Sequence, residues 1–241
     1  PYWGEAEFLT YNDNPVDANS ETIPGGDINL FAHREGYNEW VAYLSKMYKQ
    51  ILDRLLNDFE YIVTIADHGD LFGEHGAKAH YYGLFEDLIK VPLFISGDVE
   101  NETCRDDIVS LVDVHATVCA MAGIPSVNRG VNLLGSAQKQ PRLIEFHGFR
   151  PDRIESLRND GYSLNQIEHY DKYMTAVAMP DGYYGYETPN GFEESGAPIE
   201  DPRQAIERLC NNLDQRTVSR AEEQPVSEGT RERLQKLGYI N

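Results

Sequence analysis

The stretch YIVTIADHGDLFGEHG, residues 61–76, decides how the chain is organised. Its first part, Tyr61–Ala66, is apolar and rich in β-branched side chains, which predicts a buried strand of a parallel sheet. Asp67 and His68 follow at the carboxyl end of this strand, directly before Gly69, which allows a sharp backbone turn. Ligands collect at such strand ends, and a carboxylate beside an imidazole can bind one cation. These residues alone leave a second interpretation open, in which the pair is an exposed strand-end turn.

Helical and strand patterns flank this stretch on both sides. Residues 1–36 are loop-like, and apolar residues spaced three and four apart then predict a helix from about Tyr37 to Phe59. Downstream, Lys90–Ser96 predicts the next strand, and Pro92 delays its hydrogen-bond ladder until Leu93. A helix over Val109–Ala122 follows. This order of helix, strand, strand and helix is typical of a layered α/β domain.

The pattern changes after residue 140, where strand and turn signals become more frequent. The predicted elements are a strand at Leu143–Phe146, a hairpin of Tyr173–Met179 and Tyr183–Glu187 around Pro180-Asp181-Gly182, and a helix from Pro202 to about Leu213. We therefore expect an α/β domain over residues 1–140 and a smaller α+β lobe over residues 141–241.

The composition is strongly acidic. Asp and Glu number 40 against 21 Lys and Arg, of which only 7 are Lys, and the formal net charge is -19. Such a surface repels nucleic acid and anionic membranes, and no apolar run approaches the roughly 20 residues of a membrane-spanning helix, so we expect neither partner. An acidic, Lys-poor surface is typical of proteins in concentrated salt. This composition predicts a cytoplasmic protein of a halophile. An ordinary acidic enzyme and a secreted protein are the alternatives. The oligomeric state stays open.

Several segments of the chain together resemble the C-terminal signature of sulfatases, a branch of the alkaline-phosphatase-like hydrolases. The matching segments are Val63–Gly76, Asp87–Ile95, Val109–Thr117, Ala122–Pro125, Gly130–Leu134 and Arg233–Ile240. They occur in the family's order across most of the chain, which is more specific than any single motif. The resemblance implies the C-terminal half of an alkaline-phosphatase-like α/β/α sandwich, followed by the small lobe.

The resemblance also assigns roles to individual residues. Asp67 and His68 match two ligands of a divalent metal, which is calcium by the family's habit, while the imidazole keeps manganese and zinc as alternatives. His80 stands where sulfatases often have a Lys that binds the ester oxygens, and Lys78 is the second candidate for this catalytic role. His75 and Glu74 are interpreted as structural supports of the loop.

The family's nucleophile is a Cys or Ser, converted to formylglycine, in the motif Cys/Ser-x-Pro-x-Arg, and the sequence contains no such motif. Pro1-Tyr2 resembles the end of an element that lies past the middle of the family's catalytic domain. We therefore expect the formylglycine in a missing N-terminal half, and no activity from this chain alone. Three hypotheses follow: a sulfatase acting on a sulfated small molecule or glycan, a phosphodiesterase or phosphonate monoester hydrolase of the same superfamily, and a non-catalytic fragment.

Overall fold

Helices and sheets are mixed along the whole described chain. The computed structural model describes residues 30–72, 74–76, 78–99, 105–125, 129–135, 139–159, 161–213 and 228–236. The helices are α1 (Leu30–Leu55), α2 (Glu86–Ile89), α3 (Leu111–Met121), α4 (Pro151–Asn159), α5 (Leu164–Tyr170), α6 (Pro202–Asn211) and α7 (Glu228–Lys236). The strands are β1 (Tyr61–Ile65), β2 (Leu71–Phe72), β3 (Lys78–Ala79), β4 (Leu93–Gly97), β5 (Arg142–His147), β6 (Tyr173–Met179), β7 (Tyr183–Thr188) and β8 (Gly191–Ser195). Residues up to Cys210 form one compact unit, and α7 belongs to a second unit that begins at Asn211.

β1 pairs with β4, and the two strands run antiparallel. The predicted parallel pairing is therefore wrong. The connection between them is long enough for a crossover, but its described residues form the β2–β3 ribbon, a 3-10 turn and the one-turn helix α2, and not the long helix that usually joins two parallel strands. The predicted burial of β1 is also wrong, because Ile65 is 44% exposed and the other β1 residues are only half-buried. The start of β4 at Leu93, after Pro92, is confirmed.

α1 begins at Leu30, earlier than the predicted helix start at Tyr37. The loop prediction is wrong for residues 30–36, which are rich in helix formers, and its remainder at residues 1–29 lies outside the described residues. The helix contacts one face of the β1–β4 pair, where the Tyr48 hydroxyl lies 2.5 Å from the Thr64 Oγ1 atom. α1 therefore contacts β1, the strand that directly precedes Ala66 and Asp67.

The predicted helix α3 is confirmed, and a capping box begins it. Ser110 is the N-cap, and the Asp113 carboxylate accepts the backbone N–H of Ser110 at 2.9 Å. Asp113 is fully buried, and its carboxylate also accepts the backbone N–H of Val131 at 2.9 Å. It forms an ion pair with Arg142, whose Nη2 atom lies 3.0 Å away without an aligned hydrogen bond. This ion pair connects α3 to β5.

The four strands β5, β6, β7 and β8 form an antiparallel sheet in that order. The predicted strand at β5, the hairpin of β6 and β7 and the helix α6 are confirmed, whereas β8, α4 and α5 were not predicted. Side chains of β6 alternate between two cores, as the two-residue period of a strand requires. One core consists of Leu71, Tyr82, Leu84, Phe85, Leu88, Met174, Ala176 and Tyr184, and the other of Val177, Met179, Tyr183 and Ala205. Leu71 and the segment from Tyr82 to Leu88 therefore pack on the C-terminal sheet, and the domain boundary at residue 140 stays a prediction.

Candidate functional site

The turn after β1 presents Asp67 and His68 side by side. The Asp67 side chain is 88% exposed, and its Oδ1 atom accepts the backbone N–H of His68 at 3.0 Å. The His68 Nδ1 atom lies 2.9 Å from the carbonyl oxygen of Gly69, an acceptor, so this contact places the imidazole proton on Nδ1. The Nε2 lone pair is then free to bind a metal, and it lies 3.6 Å from the Asp67 Oδ2 atom.

The β2–β3 ribbon brings His80 back to this turn. Leu71 pairs with Ala79, so the chain reverses between them and residue 80 returns beside residues 68–70. The His80 ring stacks on the His68 ring with 4.1 Å between centroids and 24° between planes. Its Nδ1 atom lies 3.6 Å from the Asp70 Oδ1 atom, which is buried and has no hydrogen-bond partner among the described residues. The structure thus brings Asp67, His68 and His80 together.

Lys78, the second candidate for the catalytic role, lies in β3 opposite Phe72. Its side chain lies outside the described part of the structure, so its orientation toward the other site residues is not described. Its role, like those of Asp67, His68 and His80, stays a prediction.

Glu74 and His75 support the loop between β2 and β3. Glu74 forms an ion pair with Arg34 of α1. His75 has a left-handed backbone, φ 57°, and its ring stacks on Phe85 at 4.1 Å with 5° between planes. Its Nε2 atom lies 3.4 Å from a carboxylate oxygen of Asp87 at the start of α2. These contacts join the loop to α1 and α2 and agree with the structural interpretation of both residues.

Gly69 is required for a reason that differs from the predicted sharp turn. A Cβ atom at this position would lie 1.9 Å from the backbone oxygen of Asp87, so only glycine fits. The Gly69 N–H donates to the Leu88 carbonyl oxygen at 2.7 Å. The close approach to α2 therefore fixes the position of the turn that carries Asp67 and His68.

The C-terminal sheet holds the chain that follows His80. The Tyr184 hydroxyl donates to the buried carbonyl oxygen of Leu84 at 2.5 Å, and Phe85 packs edge-on against Tyr186 with 5.9 Å between ring centroids. Burial raises the pKa of Tyr184 above its ordinary value of 10.0, so the phenol remains a donor at neutral pH. Sequence reasoning missed both contacts because they join residues about 100 positions apart; the abundance of Tyr was the only available signal.

Asp67 and His68 can be compared with the donors that a metal ion needs. Within the described ranges, no group of three or more His, Cys, Asp and Glu side chains is arranged to hold a metal ion. The 3.6 Å between the His68 Nε2 and Asp67 Oδ2 atoms fits two donors of one cation, since each donor lies about 2.0–2.6 Å from such an ion. The exposure of Asp67 leaves the remaining coordination positions accessible. This pair thus fits a divalent cation as two of its ligands.

About half of the chain is similar to a sulfatase. No protein-family model matches the chain. The chain is similar to the uncharacterized sulfatase YidJ of Escherichia coli (strain K12), with 29% identity over 133 residues. The match covers 52% of this chain and 26% of that sulfatase, so the chain aligns with about a quarter of the relative's length. None of the helices in the described segments is both long and apolar enough to cross a membrane. The similarity suggests a sulfatase-like hydrolase.

Proposed function

We propose that this chain carries part of the active site of a sulfatase-like hydrolase that cleaves sulfate esters of a small molecule or glycan. The observation that supports this most is the convergence of Asp67, His68 and His80 at the end of β1. A carboxylate–imidazole pair that can bind a metal, beside a third polar group, suits the hydrolysis of an anionic ester. The distant sulfatase relative supports the same reaction class.

Asp67 Oδ2 and His68 Nε2 are the proposed ligands of a divalent cation. Calcium prefers the carboxylate oxygen, and the imidazole keeps manganese and zinc as alternatives. When bound, such a cation polarises the ester oxygens and neutralises their charge. The contact of His68 Nδ1 with the Gly69 carbonyl orients the imidazole, which is how backbone carbonyls position metal-binding histidines in general.

His80 is the proposed donor to the ester. Its Nδ1 atom faces Asp70, so its Nε2 atom is directed away from that carboxylate and is free to contact a substrate oxygen. An imidazole there stabilises the developing negative charge and can give its proton to the leaving oxygen. Lys78 is the alternative donor. The motif for a formylglycine nucleophile is absent from the 241 residues, and we propose that residues outside them supply it.

Paramagnetic broadening by Mn²⁺ tests the metal-binding role without requiring activity. In the 241-residue chain, substoichiometric Mn²⁺ should broaden the imidazole NMR signals of His68 and His80 more than those of His147. Asp67→Ala should weaken this binding on the order of tenfold, the usual effect of losing one group at a metal site. Asp98→Ala, which removes another exposed carboxylate, should leave it unchanged. Equal broadening in the wild type and in Asp67→Ala would contradict the proposed ligand pair.

Calorimetry and activity assays test how much of the site lies in this chain. With two protein ligands, we expect weak and substoichiometric calcium binding, and no hydrolysis of aryl sulfates or phosphodiesters. A tight one-to-one calcium isotherm that is lost in Asp67→Ala would show that the metal site is complete within the chain. Turnover that disappears in Asp67→Ala would show that the chain contains its own nucleophile, and its substrate preference would decide between a sulfatase and a phosphodiesterase.

A further inference from the structure

β6 and β7 separate at one end of the C-terminal sheet and leave a groove. Their pairing ends at Ala176 and Tyr186, although β6 begins at Tyr173 and β7 continues to Thr188. The Glu187 carboxylate bridges the gap by accepting the backbone N–H of Thr175 at 2.8 Å and its hydroxyl at 2.9 Å. The groove has a volume of about 390 Å³. Its lining includes Lys172, Tyr173, Thr188, Asn190 and Arg203.

Two positive side chains line this groove in a chain with a net charge of -19. Neither Lys172 nor Arg203 forms an ion pair with any carboxylate in the described part of the chain, in contrast to Arg142 and Arg208, which do. The Arg203 guanidinium stacks over the Phe192 ring at 4.9 Å, which limits its movement. The one acidic side chain of the lining, Glu187, already accepts two hydrogen bonds from Thr175. The groove therefore offers two cations that have no ion-pair partner among the described residues, beside one carboxylate that is already hydrogen-bonded to Thr175.

Other residues that line the groove can contact the ring of a sugar. The Tyr173 side chain is half exposed, and its hydroxyl donates to Glu145 at 2.7 Å, which fixes the ring beside the groove. Asn190 and Thr188 supply amide and hydroxyl groups from the turn between β7 and β8. An aromatic ring flanked by amide, hydroxyl and cationic groups can bind the apolar face, the hydroxyls and the charged substituent of one sugar. The volume lies in the range of small-molecule sites, about 300–1,000 Å³.

We propose that this groove binds a small anionic carbohydrate, with its sulfate or phosphate group between Lys172 and Arg203 and its ring beside Tyr173. The site uses none of Asp67, His68 and His80, and it does not depend on the function proposed above. Sulfate and phosphate esters present the same tetrahedral oxyanion to the two cations. The groove is therefore a binding site for the charged substituent and the ring together.

An NMR titration with glucose 6-sulfate tests this proposal on the 241-residue chain. Saturable shifts are expected at the backbone amides of Lys172, Asn190 and Gly191. Replacing both cations, in Lys172→Gln/Arg203→Gln, should weaken binding at least about tenfold, since both charge-assisted hydrogen bonds to the oxyanion are lost. Lys139→Gln removes an exposed positive charge elsewhere and should leave the affinity unchanged.

The comparison ligands separate the possible outcomes. Glucose 6-phosphate should bind with similar affinity, and a preference for either ester identifies the natural oxyanion. Glucose and inorganic sulfate should each bind at least about tenfold more weakly, because glucose lacks the charged substituent and inorganic sulfate lacks the sugar ring. No shifts in this groove, equal binding of glucose, or equal weakening by Lys139→Gln would overturn the proposal. Loss of binding in Asp67→Ala would place the ligand at the other site and overturn it as well.

Discussion

The two main sheets of the molecule bury their side chains to very different extents. In the C-terminal sheet, Ala176, Val177 and Met179 are completely buried, because Leu71 and residues 82–88 cover one face and α6 covers the other. In the β1–β4 pair, Phe94 is 58% exposed. A two-stranded pair is at best marginally stable by itself, whereas a sheet with packed faces supports its own stability. The C-terminal sheet is therefore the more stable region.

The candidate site draws on both regions. Asp67 and His68 follow β1 directly, so the β1–β4 pair and the contact of Gly69 with α2 set their positions. His80 precedes a segment whose residues Tyr82 and Leu84 are buried against the C-terminal sheet. The proposed metal ligands thus have a support in β1 that the proposed donor lacks, although α2, which holds Gly69, also packs on the C-terminal sheet through Leu88. Damage to the C-terminal sheet should therefore displace His80 more than Asp67 and His68.

The largest expected effect is a loss of the C-terminal sheet at high pH. Burial raises the pKa of Tyr82, Tyr183, Tyr184 and Tyr186 above 10.0, and a hydrogen bond to Glu145 is the main cause of the same shift in Tyr173. The folded state thus holds these protons more tightly than the unfolded state. Stability should be unaffected by these groups below about pH 10 and should fall as the pH rises toward their folded-state values.

Circular dichroism and phenolate absorbance, followed together from pH 8 upward, check this. Phenolate formation and loss of sheet should coincide above about pH 10. The same titration in about 1 M salt controls for general charge repulsion, which salt screens. If these tyrosines ionise near their ordinary pKa while the sheet signal persists, the buried environment described for them is wrong.

The next largest effect should follow loss of the Asp113–Arg142 ion pair. Arg142→Met leaves the fully buried Asp113 carboxylate without its cation, and such losses cost about 3–5 kcal/mol of unfolding free energy. Asp113→Asn in the same background should recover part of the loss, because it removes the uncompensated charge. Urea unfolding of the wild type and of the two variants measures both values. A cost below about 1 kcal/mol, the level of exposed pairs, would mean that the pair is solvated in solution.

A pair of truncations compares the two sheets directly. Met179→Ala, in the C-terminal core, should cost about 2–5 kcal/mol, since a cavity remains where the side chain was. Phe94→Ala, in the β1–β4 pair, should cost well under that, about 1 kcal/mol or less, because more than half of the ring is already in water. Unfolding free energies from urea titrations give both numbers. Equal costs would show that the β1–β4 pair is as well packed in solution as the C-terminal sheet.

Local chemistry explains which elements were predictable. The hairpin of β6 and β7 was predictable, because Asp181 and Gly182 adopt the left-handed backbone that a Pro-Asp-Gly turn favours. The start of β4 was predictable, because Pro92 has no backbone N–H to donate to a neighbouring strand. The direction and the burial of β1 were not predictable, since an apolar run indicates a strand but neither the direction of its partner strand nor what covers its faces. β8 was missed because its sequence, GFEES, is mostly polar.

The site was predictable in its residues but not in its supports. The strand-end pattern located Asp67 and His68, and the resemblance to sulfatases added His80. The stacking of His80 on His68 depends on the β2–β3 ribbon, whose two-residue strands are too short to leave a periodic pattern. Asp70, whose buried oxygen faces His80, lies inside the decisive stretch, but nothing local distinguishes it from an exposed Asp.

Tyr184→Phe tests the difference between the supports of His80 and Asp67 most directly. The substitution removes the hydroxyl that donates to the Leu84 carbonyl and keeps the ring, so a buried acceptor loses its partner at a cost of about 1–3 kcal/mol. Since Leu84 follows His80 closely, amide hydrogen exchange should accelerate over residues 80–85. Exchange at the turn of Asp67 should change little, because β1 and α2 hold that turn.

Tyr186→Phe is the matched control, since it removes a hydroxyl that donates to the exposed Glu193 and leaves the loop contact intact. It should change the unfolding free energy by about 0.5 kcal/mol or less and leave exchange over residues 80–85 unaffected. If Tyr184→Phe accelerated exchange equally at His80 and at Asp67, the two parts of the site would share one support. The C-terminal sheet would then position the proposed metal ligands, Asp67 and His68, as well as the proposed donor, His80.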